Sequence, residues 1–544
     1  MNTPTVQHPL STRIIRTLTS FLAGAILLNF TVNAAPDNGT TALETKKTAV
    51  QIQTVDETAL PATTVSASIR RGDILMRSLR VWPKDGQDDR DTLAAAEAFG
   101  VDRIVWIYEN TREFNQKVRE AGIGIGTTMA QQAREAWQPF MTQAEQEAFV
   151  ERFTVINLDG EQVIPNHMKK FGPNAFITHF QPDQSLEEWF SFYEDYVVSL
   201  YGEGISTIHR DDPLATAQAP RYGGSFTDSI VEFFRDYLAG NYTAEVLAEL
   251  GVENVETFNV REHFKELGAP TDYSLWQWRG SPLMPAFLDA LMEVDRLFFL
   301  RLKDVVEERT GRSIPWSLNA VGPILPVEDA FDFRIGEYQS HHNQPQTLFE
   351  MSRYPREAGK QQAWISMVDR RWETLPDFVA DLRRHIATAY AYGTIPLVPW
   401  CMYMHDAPRY YGTVEEYGDL YHFVSEYRQL IDGHELVSVS GIDNLANLYS
   451  WAPNKELSYG ADPETKVWPA SANVFTVVRK DPANPYRAVV HWVDWNPQPE
   501  SSTVTLFPKG LVGYSTANVT ILRPGCPPDL RSPFLRRLFG AGFL

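Results

Sequence analysis

The stretch "GISTIHRDDPLA", residues 204–215, sets an apolar strand directly against a run of charge. Ile205 and Ile208, with small neighbours, read as a short buried strand; His209, Arg210, Asp211 and Asp212 follow, then Pro213. Two adjacent acids at the end of a buried strand need a reason. That reason depends on the fold to which the strand belongs.

The pattern around it repeats. Short apolar runs recur at "RSLRVW" (77–82), "RIVWIY" (103–108), "GIGIGTT" (122–128), "STIHRDD" (206–212), "PWSLNA" (315–320), "FRIGEY" (333–338), "AWISMV" (363–368) and "IPLVPWCMY" (395–403). Amphipathic segments such as "LEEWFSFYEDYVVSLYG" and "LPDFVADLRRHIATAYAYG" fill the gaps, several ending in the glycine that stops a helix before a strand. Continuous apolar strands alternating with helices imply parallel strands covered by helices. Eight such units predict an α/β protein with a (β/α)8 TIM barrel over residues 71–435. No G-x-G-x-x-G turn follows the first strand, which argues against a dinucleotide fold. Two connections are long, before and after the fourth strand, and insertions of that kind build walls around a substrate cleft.

Outside the barrel the texture changes. "ELVSVSGI", "ANVFTVVRK", "YRAVVHWVDW" and "SSTVTLF" alternate apolar and polar residues, which predicts a C-terminal antiparallel β-sandwich over 436–525; for the basic, apolar tail 526–544 we have no reading. At the other end, Arg13 and Arg16 precede the apolar "FLAGAILLNFTV" (21–32) and the small residues up to Ala34 and Ala35. This is the pattern of a cleavable signal peptide, 1–35, and so of a secreted or periplasmic protein with no membrane span. Residues 36–70, rich in Thr, Ala, Asp and Glu, read as a flexible leader.

The net charge of −20 repels nucleic acid and anionic membranes. The chain has two cysteines: Cys401 sits in an apolar strand pattern and reads as a buried thiol, with a Cys401–Cys526 bridge as the alternative. With no H-E-x-x-H and no histidine on the first strand, neither metal nor other cofactor is expected.

Barrel enzymes carry their chemistry at the carboxyl ends of the strands, so the strand list becomes a site list. The fourth strand ends in His209, Arg210, Asp211 and Asp212, the fifth in Asn319, and the sixth in Glu337 and Tyr338 before His341 and His342. Asp369, Arg370, Arg371 and Trp372 follow the seventh; Trp400 and then Arg409 follow the eighth; Trp82 closes the first. Two carboxyls across a cleft are what cleavage of a glycosidic bond requires: one protonates the leaving oxygen, the other attacks the sugar or activates water. The catalytic candidates are therefore Asp212 or Asp211, with Glu337 or Asp369 as partner. Trp82, Trp372 and Trp400 would stack on sugar rings, while His209, Tyr338 and Asn319 would bond hydroxyls. Arg210, Arg370 and Arg409 would suit sulfates or uronates, or would neutralise the catalytic acids. The same acids can also serve as helix caps or local ion pairs.

The fourth-strand motif, followed by "FTDSIVEFFRDYL", "WQWRGSP" and the long helix "FLDALMEVDRLFFLRLKDVVEE", resembles the clan of barrel glycoside hydrolases that contains the family 42 β-galactosidases. That family ends its fourth strand in Asn-Glu where this chain has Asp211-Asp212, and places its nucleophile after the seventh strand, where this chain has Asp369 and Glu373. The resemblance implies a glycosidase acting on an oligo- or polysaccharide. Two other classes stay open: a non-catalytic carbohydrate-binding barrel, and a polysaccharide lyase.

Overall fold

The computed structural model describes residues 25–31, 68–78, 91–107, 112–165, 175–338, 345–366, 378–402, 409–440, 468–469, 474–495, 504–505, 518–522 and 524. Strands are numbered in chain order. β1 is Ala25–Thr31. The barrel is β2 (Leu75–Arg77), β3 (Arg103–Val105), β4 (Gly124–Met129), β5 (Thr207–Arg210), β6 (Trp316–Asn319), β7 (Phe333–Tyr338), β8 (Gln361–Ser366) and β9 (Ile395–Pro396). These eight form one sheet in sequence order, with every neighbouring pair parallel. Val398 closes it on the first strand: its N–H donates to the Leu75 carbonyl at 2.8 Å, and it bridges Met76 in parallel. The (β/α)8 barrel expected from the sequence is thus present.

Strand parity sorts the core. Leu75, Val105, Phe333, Ile335, Ala363, Ile365, Ile395 and Leu397 fill the barrel. The alternate residues face out. Met76, Ile104, Ile125 and Val398 pack under the helices Thr92–Phe99, Phe378–Tyr392 and Val414–Glu426. Ile208, Trp316 and Leu318 pack under Glu187–Gly202 and Met284–Thr310.

Two boundaries differ from the sequence reading. The first strand is Leu75–Arg77 rather than 77–82, because Ile74, Leu75 and Met76, all fully buried, are the residues that reach both cores. Its carboxyl end is therefore Arg77, and Trp82 lies outside the described residues. The eighth strand is cut to two residues, since Pro396 and Pro399 have no N–H for the ladder.

The long insertions build a helical unit with its own core. Val155, Leu158 and Val163 from the first pack with Phe226, Phe234, Phe264 and Phe287 from the second. Asp183 staples the two by accepting from the Thr227 and Ser229 hydroxyls at 2.5 and 2.6 Å.

The C-terminal region holds β10 (Glu435–Ser440), β11 (Trp468–Pro469), β12 (Val474–Asp481), β13 (Asn484–Asp494), β14 (Val504–Thr505) and β15 (Asn518–Leu522). Among the described residues it is one five-stranded antiparallel sheet, β10-β12-β13-β1-β15, beside the two-stranded ladder β11-β14. On one face of the five-stranded sheet, Val439, Phe475, Val477, Val493 and Trp495 pack on Ala389, Ala391 and Tyr392 of a barrel helix. β1 falls inside the stretch read as a signal peptide, since an inner strand and an export signal both require consecutive apolar residues. No described helix is long and apolar enough to cross a membrane.

Candidate active site

The carboxyl ends of β5, β6, β7 and β2 bring four polar side chains to one mouth. Asp211, in line with His209 on the inward face, accepts from Asn319 Nδ2 at 3.0 Å. Glu337 accepts from Arg77 Nη1 across the barrel at 2.9 Å, an ion pair in which the arginine is almost wholly buried. Arg77 also lies over the Trp106 ring, 4.1 Å from its centroid, which fixes the guanidinium from a second side. Glu337 owes its position partly to Gly336: a Cβ there would meet Val321 Cγ1 at 2.3 Å and the Ala320 carbonyl at 2.6 Å, so the loop after β6 crosses β7 only over a glycine.

Asp212 turns away from strand geometry. Its φ is +50°, in the left-handed region. The other non-glycine residues of positive φ among those described are Trp106, Ala133, Ser225 and Cys401. Trp106, Ala133, Asp212 and Cys401 each follow the carboxyl end of a barrel strand within a few residues. Left-handed backbone costs roughly 1–3 kcal/mol per residue and persists where the surroundings over-determine it, often at functional sites. The strain marks the same end of the barrel as the acids.

Asp212 is open to the cleft but set deep in its walls, and its carboxyl is pushed up to about 7. Loss of solvation is the main cause, the Asp211 charge adds to it, Arg210 opposes it, and Glu337 raises it further. A carboxyl at that value is about half protonated at neutral pH. Tyr222, from the second insertion, feels the Asp212 charge, so the inserted unit reaches the mouth as the long connections predict. Arg409 is half-buried near the same groups; burial and then Arg77 press its guanidinium downward, with Glu337 acting in the opposite sense.

Asp211, Asp212, Glu337 and Arg409 are thus brought together, with Asn319 bonded to Asp211. His209 lies just below them: its Nδ1 is 3.0 Å from Ser317 Oγ, its ring centroid 4.0 Å from that of Trp106, and burial pushes it down to about 3, so it is neutral. It forms the floor of the mouth. Trp400 is half-buried, edge-on to Tyr411 at 4.8 Å and leaning on the core beneath the helices.

Two candidates are corrected. Arg210 is fully buried on the outward face, where Nη1 donates to Tyr193 Oη at 2.7 Å and the Met129 carbonyl at 3.2 Å, and Phe299 lies under its guanidinium. Tyr338, also fully buried, packs tilted against Trp364, ring centroids 4.4 Å apart, in the core between barrel and C-terminal sheet. Each is one residue out of phase with an inward neighbour, so neither can touch a substrate in the mouth. Trp82, Asp369, Arg370 and Trp372 lie outside the described residues, as do His341 and His342. No group of three metal-ligating side chains occurs among the described residues.

Beyond Trp106, which the carboxyl end of the second run already supplied and which cradles Arg77, two contributors escaped the sequence reading: Arg77 and Asp295. The last sits on the buried face of Met284–Thr310 and accepts from the Thr216 and Ala217 N–H groups at 3.1 and 3.0 Å. It thereby anchors the short helix Ala215–Gln218 that follows the Asp211-Asp212 turn. Burial pushes its carboxyl up to about 7 against those two N–H bonds. An acid among Leu291, Phe298, Phe299 and Leu302, on the apolar stripe, was its signal in the sequence.

No family model matches the chain, and no curated protein matches it. Among solved structures, the ligand-free cyclic α-maltosyl-(1→6)-maltose hydrolase of Arthrobacter globiformis aligns at 10% identity over 83% of this chain and 98% of that one, with a TM-score of 0.41. An α-galactosidase from Thermus thermophilus aligns at 13% identity over 69% and 64%, with a TM-score of 0.36. Ega3 of Aspergillus fumigatus, in complex with galactosamine, aligns at 10% identity over 55% and 78%, with a TM-score of 0.28. The barrel itself rests on its own strand order and on the closing contact of Val398 with Leu75.

Proposed function

We propose that the chain is a glycoside hydrolase acting on an oligo- or polysaccharide, with Asp212 as proton donor and Glu337 as the carboxylate opposite. The observation that carries this reading is the pairing of unlike acids at one mouth. Asp212, pushed up to about 7, still holds its proton in about half of the molecules at pH 7, while Glu337 stands in an ion pair with Arg77. Environments that separate two acids in this way assign them to acid and base work. Asp212 gives its proton to the glycosidic oxygen as the C–O bond breaks and that oxygen takes the electron pair. Glu337 attacks the anomeric carbon, or takes a proton from the water that does. Asp211, held by Asn319, faces the charge developing on the sugar. Arg409 would receive a sulfate or uronate group bidentately. The clan of the family 42 β-galactosidases stays part of this proposal on the motifs quoted above.

The test is reducing-end release by the purified protein on neutral, sulfated and uronate polysaccharides. Wild type should cleave at least one of them, and Glu337→Gln should lose about 10³-fold or more of that rate. Unsaturated products absorbing in the ultraviolet would replace hydrolysis by elimination, and binding without cleavage on the whole panel would leave a carbohydrate-binding barrel.

Export is part of the proposal, and β1 gives it a sharp test. The mass of the protein recovered outside the cytoplasm is expected to begin at Ala35 or Pro36, with β1 removed. A mass retaining residues 25–31 would make that segment a structural strand and defeat the cleavable-signal reading.

A further inference from the structure

The tryptophan loop of the second insertion, "TDYSLWQWRGSP" (271–282), takes no part in the mouth described above. It presents Tyr273 and Trp276 to solvent, 66% and 38% exposed. The loop beneath them is braced. Leu275 is fully buried, and half-buried Trp278 stands edge-on to Phe264 with ring centroids 5.1 Å apart. Asp272 accepts from the Ser274 N–H and hydroxyl at 2.9 and 2.5 Å. Arg279 donates to the carbonyls of Trp276 and Trp278 at 3.1 and 2.8 Å. The two outer rings are therefore held in place by neighbours that are themselves anchored.

Arg221, also exposed, lies over the Trp276 ring, 4.7 Å from its centroid. Among the described residues no carboxylate or carbonyl accepts from this guanidinium, in a chain of net charge −20. The Tyr273 hydroxyl and the Trp276 ring N–H likewise have no protein partner among the described residues. Single exposed rings are ordinary on a surface; two on one braced loop beside an unpaired arginine are not. An indole offers a flat apolar face to the C–H side of a sugar ring. A guanidinium stacked on that indole can still fork its N–H groups onto a carboxylate or sulfate.

The platform is joined to the mouth through Gly223. At φ +93° this residue lies directly under the loop: a Cβ there would meet the Thr271 carbonyl oxygen at 2.0 Å and the Asp272 nitrogen at 2.8 Å. Arg221 and Tyr222 precede it, in the turn Ala219–Tyr222 that follows the helix anchored by Asp295. The Tyr222 phenol feels the charges of both Asp212 and Arg221. Interactions thus link Asp212 to Tyr222, Tyr222 to Arg221, and Arg221 to Trp276.

We propose that Tyr273, Trp276 and Arg221 form an outer subsite for a glycan chain leaving the mouth past Tyr222, and that the sugar seated there carries a uronate or sulfate. The inference rests on the glycan reading of the mouth and extends it to a polymer with acid groups away from the bond that is cut. The charge of the whole chain opposes indiscriminate adhesion to acidic polymers, so any binding reports local contacts.

Affinity electrophoresis of the full chain carrying Asp212→Asn, which leaves the polymer intact, tests this in gels containing polygalacturonate, chondroitin sulfate or dextran. At least one acidic polymer should retard the protein. Trp276→Ala should weaken that binding about fivefold or more, and Trp276→Phe should keep most of it. Arg221→Gln should weaken it about fivefold and leave the mobility in dextran unchanged. Both side chains lie at the surface, so these variants should melt as the parent does. Tyr486→Ala, a ring of like exposure on the C-terminal sheet, should bind as the parent does. Binding does not need the reaction, so the two readings fail separately. If wild type cleaves none of these polymers but the platform variants lose binding, the hydrolase is lost and the subsite stands. If wild type cleaves and the platform variants bind as the parent does, the subsite is lost and the hydrolase stands. No retardation by either acidic polymer, or an Arg221→Gln loss as large in dextran as in the acidic gels, would also overturn the proposal.

Discussion

Asp212→Asn is expected to lower kcat/KM on a cleaved polysaccharide by about 10³-fold, within the range general acid catalysis contributes, and at the same time to stabilise the fold at alkaline pH. Both effects come from one displaced proton equilibrium. An unfolded aspartate titrates near about 3.9, whereas Asp212 in the fold is pushed up to about 7. Between those values the folded chain holds a proton that the unfolded chain has released, so stability falls as pH rises from about 4 to about 7 and is level beyond. Asparagine has no proton to lose and escapes the fall. Melting temperatures of variant and wild type should therefore coincide near pH 4, part as pH rises, and stay apart above neutrality. Because the carboxyl is open to the cleft, the separation will be modest. The groups that set it are Asp211, Arg210 and Glu337. In the wild type, kcat/KM should fall on the alkaline side of about 7, and the residual activity of the variant should lack that limb. Curves that stay superimposed at every pH would make Asp212 an ordinary carboxylate and remove it from the acid role.

The second large effect lies beneath the site. Arg334 Nε and Glu328 Oε2 are 3.2 Å apart with neither side chain exposed, Arg334 also donates to the Gly322 carbonyl at 2.9 Å, and Glu328 Oε1 accepts from the Leu325 N–H at 2.9 Å. Burial pushes the acid up and the guanidinium down, each against the pull of its partner. Arg334→Met leaves a buried carboxylate without its main counter-charge, and removing one partner of such a pair costs about 3–5 kcal/mol. Lys360 lies close enough to Glu328 to hold the cost at the lower end. The double variant Arg334→Met/Glu328→Gln removes both charges, keeps an acceptor for Leu325, and should recover most of the loss in denaturant unfolding. A single variant costing under about 1 kcal/mol would show that the pair is already neutral. Gly322 belongs to the loop that crosses Gly336, so the single variant should also reduce activity by loosening Asn319 and Glu337.

The order of the barrel strands was legible because parallel strands buried on both faces leave continuous apolar runs, and each of the eight runs overlaps a strand. Strand ends were less so. Apolar residues beyond Arg77 lengthened the first strand on paper, which carried attention to Trp82 and away from Arg77. Position alone was enough to place Asp211, Asp212 and Glu337 at the mouth of the barrel. Arg210 and Tyr338 were misplaced because a list of residues at strand ends ignores which way each side chain points. Alternation from His209 to Arg210, and from Glu337 to Tyr338, would have sorted all four. What no pattern within a single strand contains is the partner from elsewhere in the chain: Arg77 meets Glu337 across 260 positions of sequence, and Asp295 reaches Thr216 from the far side of an insertion.

The left-handed backbone at Trp106, Asp212 and Cys401 also bears on descent. Strain of this kind survives selection only while something depends on it. A lineage that kept the barrel but abandoned its chemistry would relax these positions early, with glycine the easiest replacement at each. Among homologues, side chains retained at all three would go with the chemistry proposed above, and glycines there would mark descendants that kept only the shape.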